Sequence, residues 1–281
     1  MAFSLVRSQG AAFWISDLLH ATHGFSTRLG GVSDLPHTAG LNLAFGRGDE
    51  AAVVLENLSR FALAVGVDPA AVVSVPQVHG NRVHRVDHRH RGMGYVLEAG
   101  FTGDGYVTAD PTVAVGVKTA DCTPILLEAE VAGRVVAVSA LHAGWKGTVA
   151  DIAGEGVGHL TELACEVSGV AASEVTIRAA IGPCIHAECF EVKEDCLAAV
   201  RGAWGEDAEA WILRRDGGFY LDLPAMNRAL LLRAGVREEN LDVCGLCTMC
   251  HPELFYSHRG SGGVRGTMLN LITPVARGQN A

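Results

Sequence analysis

Lys118-Thr119-Ala120-Asp121-Cys122-Thr123-Pro124 and Leu141-His142-Ala143-Gly144-Trp145-Lys146-Gly147 flank two apolar runs, Ile125 to Glu128 and Arg134 to Leu141, that meet around Val131-Ala132-Gly133. Each run has the pattern of a buried strand, and the Gly-containing join makes the pair a hairpin. With residues 131–133 as the loop, Cys122 stands opposite His142. Opposed Cβ atoms of an antiparallel pair are roughly 5 Å apart, close enough for a thiolate and an imidazole to share a proton or a metal ion. A loop one residue longer or shorter would put the two side chains on opposite faces.

Outward from this hairpin, the N-terminal part reads as strands at Phe13 to Ile15 and His23 to Thr27, then a long Gly/Asp/Pro loop from Gly30 to Gly40. Val53, Val54, Leu58, Phe61, Ala62 and Val65 recur at helical spacing, and Gly66 marks the stop. Further strands fall at Val72 to Val75, Val83 to Val86, Tyr106 to Thr108, Val113 to Val117 and Val175 to Ile181. One helix, weakened by glycines, covers Thr148 to Val167; others cover Val192 to Val200 and Pro224 to Leu232. The last third adds strands at Phe219 to Leu223, Leu241 to Cys244, Phe255 to His258 and Met268 to Ile272. No repeat or Pro/Ser-rich linker divides residues 1–281, and helices do not alternate regularly with strands. The expectation is a single α+β domain of mixed β-sheets with flanking helices.

The 281 residues are long enough to bury a core without disulfide or metal staples. A formal charge of −9 argues against a nucleic-acid surface while allowing a local basic pocket. No apolar run approaches a membrane span and Met1 to Gly10 lacks an apolar signal region, so a cytoplasmic chain without a membrane partner is expected. In that setting the eight cysteines are free thiols or metal ligands rather than disulfides.

Zinc in a catalytic site takes three protein ligands and keeps one position open, so Cys122 and His142 need a third partner. His79, on the loop Gln77-Val78-His79-Gly80 at a strand end, is placed to supply it. Spacing alone favours the plainer alternative, two unrelated polar histidines and a core thiol. His84, His88 and His90 are interleaved with arginines and read as a solvated loop. Cys244-Gly245-Leu246-Cys247-Thr248-Met249-Cys250-His251 holds a Cys-x-x-Cys-His pattern, but neither haem attachment, an iron–sulfur cluster nor a four-ligand zinc turn outweighs free thiols at a strand end. Arg28, Lys118, Lys146 and Arg259 near loops are candidate anion contacts if several converge.

Gly24-Phe25-Ser26-Thr27-Arg28-Leu29-Gly30-Gly31-Val32-Ser33, Leu41-Asn42-Leu43, Gln77-Val78-His79-Gly80, Thr119 to Pro124, His142-Ala143-Gly144-Trp145, Ile181 to Ile185, Cys247 to Cys250 and Phe255-Tyr256-Ser257-His258-Arg259 follow one another. In that order they resemble the YfiH-type proteins, purine nucleoside phosphorylases with a laccase domain, also labelled polyphenol oxidases or peptidoglycan editing factors. The likeness runs from about residue 24 to 259. It implies a cytoplasmic enzyme holding one Zn2+ through His79, Cys122 and His142. It further implies phosphorolysis of adenosine, inosine and methylthioadenosine and hydrolytic deamination of adenosine, so that the partners are a small-molecule nucleoside and phosphate. Arg28, Lys146 and Arg259 are then expected on the phosphate, and Asn42 and Gln77 on ribose or base, with Asp121 as a proton carrier. Where many members have Arg after His-Ala-Gly-Trp this chain has Lys146, and Gly260 replaces a second Arg; Lys lacks the bidentate fork.

Copper is not expected, since one His-x-His pair in a polar loop is far short of a multicopper centre. Two other classes stay open: a cysteine amidase editing peptidoglycan precursors through Cys122 and His142, and a non-catalytic zinc-binding protein.

Overall fold

In the computed structural model, which describes residues 3–278, the first half of the chain gives β1 (Phe3–Ser8), β2 (Ala11–Ser16), β3 (Ala21–Ser26), α1 (Ala51–Val65), β4 (Val72–Val73), β5 (Val83–Arg85), β6 (Gly105–Thr108) and β7 (Ala114–Thr119). The central part is β8 (Thr123–Val131), β9 (Arg134–Ala143), α2 (Trp145–Val149), α3 (Ile152–Ser168) and β10 (Thr176–Ile181). There follow β11 (Glu191–Val192), α4 (Glu194–Trp204), β12 (Ile212–Arg215), β13 (Gly218–Leu221), α5 (Leu223–Arg233), β14 (Leu241–Val243) and β15 (Met268–Ala276). There are two six-stranded sheets, β1-β2-β3-β15-β7-β4 and β14-β10-β8-β9-β6-β5, and a separate small sheet β11-β13-β12. Parallel pairs β4/β7, β5/β6 and β10/β14 among antiparallel neighbours make the large sheets mixed, and the fold is α+β as expected.

The alternation of β8 shows how the layers are built. Ile125, Leu127 and Ala129 face a core shared with Ile152, Leu160 and Leu230 on the helices. Leu126 faces the other way, into an inter-sheet core with Phe25, Val115, Val117 and Ile272. Both faces being covered, the strand reads as a continuous apolar run, and each fully buried Leu or Ile stabilises the fold by roughly 2 kcal/mol. On the far side, Val54, Leu58 and Phe61 of α1 pack against Phe13, Leu269 and Leu271. Among the described residues no helix is long and apolar enough to cross a membrane.

Three expectations need correction. The β8/β9 turn has two residues, Ala132 and Gly133, both at positive φ, instead of three. A bulge between Ala129 and Glu130 then shifts the register again, so Pro124 opposes His142 and Cys122 lies just beyond the strand. One residue lost in the turn and one gained in the bulge restore the side-chain parity, and Cys122 still reaches the His142 side. The helix expected over Thr148 to Val167 is two helices, because Asp151 sits at φ 58°, a conformation that cannot continue a helix, and caps α3 by accepting the Gly154 N–H at 3.0 Å. Phe255 to His258 is not a strand: Phe255 and Tyr256 bury themselves with Ala120 and Met268, and the Tyr256 hydroxyl donates to the Thr38 carbonyl at 2.7 Å.

Candidate active site

His79, Cys122 and His142 converge, their ligand atoms all lying within 4.8 Å of one another. Cys122 Sγ is 3.9 Å from His79 Nε2, and the two imidazole rings stand edge to face at 4.8 Å between centroids. Three separate backbone devices produce this. His142 is the penultimate residue of β9. His79 sits at φ 61° on the loop after β4, and Cys122 follows Asp121, which sits at φ 93°. Positive φ at two non-glycine residues beside one cluster is strain that hydrogen bonds must hold.

Asp104 holds the first. Its fully buried carboxylate accepts N–H groups from Val78 at 3.1 Å, His79 at 2.9 Å and Gly80 at 2.9 Å, and it also accepts Nδ1–H of His142 at 2.8 Å. Burial works against its charge, but those donors keep its pKa below the usual carboxylate range. Nδ1 being committed, Nε2 of His142 is the nitrogen available to a ligand. The Asp121 turn is held from behind, Oδ1 accepting from Thr248 Oγ1 at 2.7 Å and Oδ2 from the Arg259 N–H at 2.6 Å. Both carboxylate oxygens of Asp121, expected to carry protons, are thus engaged in holding the turn that precedes Cys122.

Burial would raise the Cys122 thiol, yet the two imidazoles outweigh it and bring the thiol down to about 6. Burial likewise lowers His142, while the thiolate and Asp104 carry it up to about 9. Both shifts have one cause, the mutual attraction of the Cys122 thiolate and the His142 imidazolium, and a cation entering the cluster would displace the proton they share. Gly144 leaves room for it: a Cβ there would stand 2.9 Å from His79 Cδ2 and 3.2 Å from Cys122 Sγ. Two imidazoles and a thiolate, the histidine tautomer fixed by a carboxylate, form a donor set that suits zinc.

The cluster opens into a cavity of about 770 Å³ whose walls include Phe45, Arg47, Gln77, Tyr95, Val96, Leu97, Lys118, Arg265 and Thr267. In a chain of net charge −9 this wall is cationic, with Glu98 the acid among its lining residues. Burial and the neighbouring Arg47 bring the Arg265 guanidinium down to about 10, and the Nε atoms of Arg47 and Arg265 are both buried without a hydrogen-bond partner. Burial also lowers Lys118 to about 8; its ammonium donates to the Ser74 carbonyl at 2.9 Å and lies 4.9 Å from the centre of the Tyr95 ring. Phe45 and Tyr95 form a tilted aromatic pair, 5.8 Å between centroids, on the same wall.

Of the side chains expected on a substrate, Gln77 lines this cavity, although its amide is tied to the Lys118 backbone at both ends. Arg28 lies elsewhere, bonded to the Pro252 and Ala39 carbonyls and stacked 4.7 Å from the Tyr256 ring. Asn42 is fully buried, bridging Ala44, Asp49 and Thr267. Arg259 donates to the Glu191 carbonyl and lines a separate cleft with Trp145, and Lys146 lies 5.6 Å from the Trp145 ring. Asp104, Arg47 and Arg265 escaped the sequence reading. A lone Asp between Gly103 and Gly105 ahead of a strand was the available signal for the first; the two arginines sit in irregular loops that no period marks.

Residues 22–274 match the family described as multi-copper polyphenol oxidoreductase laccase. A purine nucleoside phosphorylase of Deinococcus radiodurans is 40% identical over 263 residues, covering 93% of this chain and 92% of its own length. Adenosine deaminase RL5, from an unknown prokaryotic organism, is 35% identical over 247 residues, covering 87% of this chain and 90% of its own. The crystal structure of the hypothetical protein YfiH of Bacillus licheniformis superposes with a TM-score of 0.83 at 30% identity, over 96% of this chain and 98% of the other.

Proposed function

We propose that this chain, which belongs to the multi-copper polyphenol oxidoreductase laccase family, is a purine nucleoside enzyme that uses Zn2+ on His79, Cys122 and His142. The reactions are phosphorolysis of adenosine, inosine and methylthioadenosine, and hydrolytic deamination of adenosine. The observation that carries this reading is the opening of a two-histidine, one-cysteine cluster into a cationic, aromatic-walled cavity. Relatives named purine nucleoside phosphorylase and adenosine deaminase support the substrate class.

Zinc, when bound, supplies Lewis acidity at the mouth of this cavity. The protein's own groups do the rest. Phe45 and Tyr95 offer a face for a purine, in a space sized for a nucleoside. The guanidiniums of Arg47 and Arg265 replace Arg28, Lys146 and Arg259 as the groups proposed to hold phosphate, since both line the cavity into which the cluster opens. Lys118 adds a cation on the same wall. Phosphate held by these groups is oriented toward the ribose, and positive charge developing there is met by a bound anion. Asp104 keeps His142 in one tautomer.

A second reading rests on one specific observation. Cys122, His142 and Asp104 form a thiolate, imidazole and carboxylate series, the arrangement of a cysteine hydrolase, which would suit amide bonds of peptidoglycan precursors. Product analysis from adenosine, with and without phosphate and before and after chelation, tests the first reading. Activity on muramyl peptides that survives chelation would replace it with the second.

A further inference from the structure

Three sulfur atoms meet in a second cluster outside the active site. Cys189 stands on the loop between β10 and β11, and Cys247 and Cys250 stand on the loop after β14. Their Sγ atoms all lie within 4.8 Å of one another, with Cys189 and Cys250 3.3 Å apart, and all three are free thiols. Thiolates sharing a tetrahedral zinc at about 2.3 Å are about 3.8 Å from each other, within the spread seen here, whereas a disulfide requires about 2.05 Å. Cys247 is buried, Cys189 half-buried and Cys250 exposed, so a cation can reach the cluster from solvent. The two loops are already registered by backbone contacts: the Thr248 N–H donates to the Cys184 carbonyl at 2.9 Å, and the His186 N–H donates to Cys247 Sγ at 3.5 Å.

We propose that Cys189, Cys247 and Cys250 form a second metal site, separate from the His79, Cys122 and His142 cluster, that takes a thiophilic divalent cation of the zinc class. The three thiols lose their protons to solvent on binding, no electrons move, and solvent takes the fourth position beside exposed Cys250. The cation staples two loops whose sequence positions are far apart. Thr248, between two of the ligands, donates to Asp121, so the staple stiffens the turn that presents Cys122. Nothing here depends on which substrate the first site accepts.

The test is zinc stoichiometry on the full-length, metal-stripped protein titrated with Zn2+, read by elemental analysis and by counting reactive thiols. The native chain is expected to bind two zinc ions with Cys189 and Cys250 protected from alkylation. H142A is expected to bind one and keep that protection, while C189S/C250S binds one and keeps Cys122 protected. Circular dichroism checks the double variant, and C250S, at an exposed position, replaces it if it does not fold. Equal zinc binding by the native chain and these cysteine variants would overturn the proposal. So would a Cys189 to Cys250 disulfide, two mass units lighter, that persists in the presence of zinc.

Discussion

Asp104 grips His142 twice: its carboxylate accepts the ring Nδ1–H at 2.8 Å, and its carbonyl accepts the backbone N–H at 2.7 Å. One residue therefore fixes both where the imidazole sits and which nitrogen it offers. Because the same carboxylate also takes three N–H groups of the His79 loop, it couples two of the three proposed ligands.

Asp104→Asn removes the charge while keeping the shape. It is expected to weaken zinc binding about 10- to 100-fold, the usual effect of losing a carboxylate behind a metal-bound histidine. Chelator competition measures it, and an unchanged affinity would remove Asp104 from this role.

Gly144 has φ −68°, which any residue can adopt, so only space argues for glycine there. Gly144→Ala pushes a methyl against His79 and Cys122. The expected outcome is at least ~10-fold weaker zinc binding with near-native melting behaviour. A variant that loads zinc normally would show that the cluster has slack not visible in its packing.

Much of this was legible in the sequence, and the failures have identifiable physical causes. The α1 helix and the buried strand pair announce themselves through apolar period, whereas the convergence of His79, Cys122 and His142 was favoured by the family resemblance and not by spacing alone. Register did not, because a short turn and a bulge cancel each other in parity and leave no composition mark. Arg28 and Arg259 look like anion contacts in sequence, yet carbonyl oxygens and aromatic rings already occupy them. Arg47 and Arg265 converge only through tertiary structure, and so do Cys189 and Cys250.

Arg47→Ala and Arg265→Ala are expected to raise KM for phosphate by about 10-fold or more, since a hydrogen bond to a charged group is worth about 1.5–3 kcal/mol. Deamination, which needs no phosphate, should fall less. Steady-state kinetics of both reactions on one preparation decide the matter; equal losses would assign the arginines to the nucleoside instead.

His23 makes an acid-sensitive point in the fold. Burial lowers its pKa to about 4, and its Nε2 accepts the Ser16 N–H at 2.9 Å while Nδ1 donates to the Ala21 carbonyl. Between pH 6.5 and 4 the unfolded chain binds the proton and the folded chain does not, so this contribution is intact above 6.5 and is lost as pH falls toward 4. It amounts to about 3 kcal/mol. Denaturant unfolding across that window should show stability falling with acid, and His23→Gln should flatten the slope; an equal slope in the variant would assign the loss to other groups.

The most direct measurement is product formation by zinc-quantified protein from adenosine and inosine, with and without phosphate, followed through chelation and zinc replacement. A zinc-dependent nucleoside enzyme yields adenine or hypoxanthine with ribose 1-phosphate when phosphate is present, and inosine from adenosine. Chelation abolishes all of these and zinc restores them. Nucleoside turnover that persists after complete metal removal and stops only on alkylation of Cys122 would contradict the metal-dependent account and leave the Cys122, His142 and Asp104 series as the catalyst.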